Sequence, residues 1–76
     1  MSGLSRVRAR EVLAALYRAG FVDVPGAKGG HRQVRRPDSG GRVTIPVHAG
    51  DTLKPKTPRS ILRQAGVTIE EFTALL

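Results

Sequence analysis

The chain is 76 residues long, carries a formal net charge of +7 and contains no cysteine. At this length it is a single domain, 1–76, with one thin core, since about 60% of the unfolded surface is buried at this size. A second domain, a large cofactor site, a disulfide framework and a thiolate metal site are all excluded.

The first predicted element is a helix at about 6–19. Ala9, Val12, Leu13 and Leu16 recur at i, i+3, i+4, i+7, with Tyr17 beside them. Gly20 supplies the left-handed stop that ends a helix, and Phe21 is placed to pack back on Leu16. "FVDV" then reads as a short strand at about 21–24, and "PGAKGG" as a glycine-rich turn. "HRQVRR" is a second strand at about 31–36, and "PDSGG" a turn. "RVTIPVH" is a third strand at about 42–47, in which Val43, Ile45 and Val47 alternate with Arg42, Thr44 and Pro46. Pro46 cannot donate to a ladder, which predicts a sheet edge.

Two helices close the chain. Thr57 is a good N-cap with Pro58 at the first helical position, predicting a helix at about 58–65 that presents Ile61, Leu62 and Ala65 inward and stops at Gly66. Thr68 and Glu71 have the spacing of a capping box for a last helix at about 69–75, with Ile69, Phe72, Leu75 and Leu76 as its apolar face. The order α-β-β-β-α predicts an α+β fold with helices on one face of a three-stranded antiparallel sheet.

Charge points to the partner. No acid lies between Asp23 and Asp38, whereas Lys28, Arg32, Arg35 and Arg36 do. Such a balance predicts a polyanionic partner. With only Tyr17, Phe21 and Phe72 as aromatics, an aromatic stacking platform is not expected. No apolar run approaches the roughly 18 residues of a membrane span, and the basic start "MSGLSRVRAR" lacks a hydrophobic signal core. A cytoplasmic location and no membrane partner are expected. Two histidines without a carboxylate cluster make no protein-only metal site, so neither metal nor cofactor is expected.

The period of two tests where His31 points. Val34 is the apolar residue of the second strand, and pairing it with Ile45 puts it on the face of Val43 and Val47. That register sets Arg35 opposite Thr44, Gln33 opposite Pro46 and His31 opposite His48, all on the face away from the helices. The expectation is two histidines as cross-strand neighbours about 5 Å apart at Cβ.

RNA carries its own nucleophile in the 2′-hydroxyl, so a protein needs only to move a proton and stabilise charge on phosphorus. Imidazole titrates near neutrality and suits that proton transfer. His31 is the candidate catalytic group, and His48 the second. Lys28, Arg32, Arg35, Arg42, Lys54 and Lys56 are candidates for phosphate contact. The backbone amides of Gly29 and Gly30, and Arg59 near a helix start, add donors. A non-catalytic RNA-binding module uses the same features without chemistry, and a protein-binding domain would turn its charge on an acidic partner.

The stretches "REVLAALYRAGF", "KGGHRQVRRPDSGGRVTIPVHAG" and "KTPRSILRQAGVTIEEF" together resemble the HicA-type mRNA interferase toxins of bacterial toxin–antitoxin pairs. The resemblance covers nearly the whole chain. It implies a double-stranded-RNA-binding-domain-like fold, metal-independent endoribonuclease activity on single-stranded mRNA, and inhibition by a HicB-type antitoxin. The family's catalytic histidine follows a Gly-Ser pair, a position occupied here by His31. This chain departs from the pattern with Gly30 where the family has serine and Pro58 where it has leucine.

Overall fold

The computed structural model describes residues 7–26, 29–38, 41–47, 53 and 56–76. Within them the order is α1 (Ala9–Arg18), β1 (Val22–Val24), β2 (His31–Arg35), β3 (Arg42–Pro46), α2 (Lys56–Ala65) and α3 (Ile69–Leu75). The strands form an antiparallel sheet in the order β1-β2-β3, so the edge position expected for Pro46 is observed. The architecture is the expected α-β-β-β-α.

The core joins one stripe of each helix to one face of the sheet. Val12 and Leu16 of α1, Ile61 and Leu62 of α2 and Phe72 of α3 bury against Val34, Val43 and Ile45. No buried polar or charged residue interrupts this cluster among the described residues. Burying each such side chain stabilises by about 1.5–3 kcal/mol, which is what holds so small a chain together.

Both longer helices end in the same way. The Phe21 N–H donates to the Leu16 carbonyl and the Gly20 N–H to that of Tyr17, with Gly20 at φ +99°. At the end of α2, Val67 donates to Leu62 and Gly66 to Arg63, with Gly66 at φ +72°. These are paired Schellman closures, and the residue after each glycine, Phe21 or Val67, is itself buried.

Three expectations change at the helix ends. The second helix starts at Lys56, not at Pro58, so Thr57 lies inside the first turn rather than capping it. Pro58 remains tolerable, because the first N–H groups of a helix have no intrahelical partner; its ring is buried. On α3 only Phe72 is buried, while Ile69 and Leu76 are exposed, so the apolar face there is narrower than the spacing predicts. The α3 capping box is as expected: Glu71 N–H donates to Thr68 Oγ1 at 3.0 Å and Thr68 N–H to Glu71 Oε1 at 2.9 Å.

The hairpin register is the main correction. Observed partners are His31 with Pro46, Gln33 with Thr44, Val34 with Val43 and Arg35 with Arg42. This is a two-residue shift from the Val34–Ile45 pairing, so His31 does not face His48. A shift of two preserves which face each side chain occupies. Hydrophobic pattern therefore cannot separate the two registers, and the assembled ladder decides.

Candidate functional site

The sheet has one face under the helices and one face uncovered. On the uncovered side β2 presents His31, Gln33 and Arg35, and β3 presents Arg42, Thr44 and Pro46, because directly opposed residues share a face. The register of β1 adds Val22 beside Arg35 and Val24 beside Gln33. His31, Arg35, Arg42 and Thr44 are all exposed.

The backbone holds the entry to His31 on both sides. Gly29 takes φ +63°, a conformation glycine accepts without a Cβ penalty. The Val47 N–H donates to the Gly30 carbonyl, extending the β2–β3 ladder one step beyond the strands. In an antiparallel ladder hydrogen-bonded and non-hydrogen-bonded pairs alternate. Gly30–Val47 is a hydrogen-bonded pair, so His31–Pro46, Gln33–Thr44 and Arg35–Arg42 fall at non-hydrogen-bonded positions. That accounts for Pro46 within β3: the N–H it lacks would point away from β2, toward the open edge. It also brings the outer-face side chains into the closer of the two spacings, about 4.5 Å between Cα atoms. Gln33 Nε2 lies 3.4 Å from Thr44 Oγ1 across this face.

Arg32 does not join His31. It shares the helix-side face with Val34, where its guanidinium lies 3.6 Å from an Asp23 carboxylate oxygen. The other Asp23 oxygen accepts the Tyr17 hydroxyl at 2.6 Å. Burial first, and then the hydrogen bond to Asp23, hold the Tyr17 phenol above its usual pKa. Sequence reasoning assigned no role to Tyr17 or Asp23. Asp23 pairs with Val34 and takes the helix side, leaving Val22 44% exposed. The available signal was the opposite charge of Arg32, whose diagonal cross-strand partner is Asp23.

The remaining candidates divide as follows. Lys56 and Arg59 are exposed in the first turns of α2, a separate element from the strand carrying His31. Lys28, Lys54 and His48 lie outside the described residues. Arg36, just past β2, sits 4.7 Å from the centroid of the Phe21 ring. It lines a cavity of about 360 Å³ with Ala19, Gly20, Pro37 and Asp38. That hollow lies beyond the opposite end of β2 from His31, which is exposed on the open face of the sheet. No group of His, Cys, Asp and Glu suited to a metal occurs among the described residues. No helix among them is long and apolar enough to cross a membrane.

The chain is thus a basic α-β-β-β-α domain of the α+β class, with helices on one side of an open three-stranded sheet and an exposed imidazole on the other. The family model described as the HicA toxin of bacterial toxin–antitoxin systems matches residues 9–67, from the first residue of α1 to the closure of α2. The chain belongs to the HicA toxin family and is thereby a toxin of a toxin–antitoxin pair, with a cognate antitoxin as its partner. No curated protein matches the chain.

Proposed function

We propose that this toxin is a metal-independent endoribonuclease that cleaves single-stranded mRNA in the bacterial cytoplasm, with His31 as general base or acid. The observation that carries the reading is the placement of His31. It is exposed at the start of β2, follows two glycines, and shares the uncovered face with Arg35 and Arg42. In the reaction the 2′-oxygen attacks the adjacent phosphorus while its proton passes to a base. The bond from phosphorus to the 5′-oxygen breaks, and that oxygen takes up a proton. The products are a 2′,3′-cyclic phosphate and a 5′-hydroxyl, so no external nucleophile has to be generated. Proton transfer by a positioned side chain is worth about 10²–10⁴-fold. The Gly29 and Gly30 amides, which can approach the phosphate closely, stabilise the developing charge.

The cognate antitoxin, in this reading of the HicB type, inhibits by covering the basic sheet face. The test is cleavage of single-stranded RNA by the purified toxin in EDTA, with His31→Ala as control. The expected result is cutting by the wild type and loss of cutting, with RNA binding retained, in the variant. Undiminished cutting by His31→Ala overturns the role of His31. Binding without cleavage by the wild type establishes a non-catalytic RNA-binding module instead.

A further inference from the structure

Arg35 and Arg42 are directly opposed across β2 and β3, at a non-hydrogen-bonded position where side chains stand closest. Like charges so placed destabilise a sheet. The other described arginines of this hairpin are engaged. Arg32 pairs with Asp23 on the far face, and Arg36 packs on Phe21. The uncovered face offers Arg35 and Arg42 nothing comparable: its strand residues are Val22, Val24, His31, Gln33, Arg35, Arg42, Thr44 and Pro46, none of them acidic. Two cations held side by side, flanked by Val22 and with no carboxylate among the described strand residues of their own face, are arranged for an anion from outside the chain.

The position of that anion relative to the chemistry follows from strand geometry. Arg35 is four residues beyond His31 on the same face of β2, or about 13 Å at 3.3 Å per residue. A phosphate at His31 cannot also sit between Arg35 and Arg42. At the rise of about 3.4 Å per nucleotide of a stacked strand, about four nucleotides separate the two positions, and fewer if the strand is extended. Gln33 and Thr44, hydrogen-bonded to each other between them, supply polar groups along the way.

Resting on the nuclease reading of His31, we infer that Arg35 and Arg42 form a second phosphate subsite. It grips the RNA backbone several nucleotides from the scissile bond, so the outer sheet face is a track for one strand and the enzyme selects against very short substrates. Arg42 reaches this subsite only because of the observed register, which places it against Arg35, whereas the Val34–Ile45 register would set it against Pro37.

The experiment compares oligoribonucleotides from two to eight nucleotides on the wild-type toxin and on the double variant Arg35→Ala/Arg42→Ala. The wild type is expected to gain at least tenfold in kcat/KM once the oligomer spans both positions, mainly through KM. In the double variant that long-to-short ratio falls to near one, and Arg35→Lys/Arg42→Lys restores part of it. The salt dependence of binding loses about 0.7 in slope for the phosphate contact removed. Circular dichroism and a thermal melt establish that the double variant is folded. Binding of the same oligomers to His31→Ala reads the subsite without chemistry, so a wild type that fails to cut defeats the nuclease reading while the length dependence still tests the track. A double variant that keeps the full length advantage overturns the inference. If that variant also escapes the antitoxin, the arginine pair belongs to the antitoxin contact.

Discussion

The two faces of one three-stranded sheet obey different rules. Under the helices, Val34, Val43 and Ile45 are fully buried in an apolar cluster, with the exposed Arg32–Asp23 pair beside it on the same face. On the open side, the intervening residues of the same strands include two opposed arginines and an exposed histidine. The covered face is arranged for stability. The open face places like charges together at some cost to stability, and such local conflicts concentrate where a chain binds or reacts.

The sharpest way to break that contrast is to substitute one residue on each side. His31→Ala is expected to lower RNA cleavage by about 10²–10⁴-fold while moving stability by no more than about 0.5 kcal/mol, as measured by single-turnover cleavage and denaturant melts. Ile45→Ala is expected to do the reverse, costing about 2–5 kcal/mol and leaving a largely unfolded domain. Comparable loss of stability from both variants would erase the distinction between the faces.

A second tier of effects concerns the helix ends that press the core against the covered face. Gly66→Ala is expected to destabilise by about 1–2 kcal/mol in thermal unfolding. Nothing lies within 4 Å of the Cβ it would add, so the cost arises in the left-handed backbone and not from a clash. Thr68→Ala removes one arm of the α3 box and is expected to cost about 1 kcal/mol. The Thr68 backbone N–H, then its hydroxyl, and more weakly the field of Arg36, hold the Glu71 carboxyl below its usual range. A depressed carboxyl contributes stability above its unfolded pKa and loses it as pH falls through the folded one. The wild type is therefore expected to lose α3 capping in acid below the ordinary glutamate range, and Glu71→Gln to flatten that part of the pH–stability curve.

The smallest expected effect lies at the exposed edge. Asp23→Asn removes an ion pair whose partners are both about half exposed, worth about 0–1 kcal/mol. It is also expected to lower the Tyr17 pKa, readable by ultraviolet titration of the single tyrosine. The sign follows from the raised phenol. Its contribution to stability is complete below the unfolded tyrosine pKa of about 10 and is lost as pH rises through the folded value. An unchanged titration in Asp23→Asn would show that burial alone raises the phenol.

Much of the fold was legible in the chain because its signals are local. The period of α1, the glycines at 20 and 66, and the spacing of Thr68 to Glu71 each act within a few residues, and the structure follows each of them. The start of α2 was misplaced because Thr57 and Pro58 make a plausible beginning on their own, while the first turn accepts proline at more than one position. Asp23 was missed because "FVDV" was read as a short strand with no facing assigned to its residues. At an edge strand Arg32 and Tyr17 outweigh two valines.

From the sequence alone came the one-sided α-β-β-β-α plan, the uncovered face as the side to which His31 belongs, and an unbalanced positive charge along β2. Each depends on periodicity or composition, which need no knowledge of distant partners. Tertiary structure decided what stands beside what: Pro46 against His31, Arg42 against Arg35, and Arg32 turned away toward Asp23. A two-residue slide of one strand keeps every side chain on its own face, so only the assembled ladder selects between the alternatives.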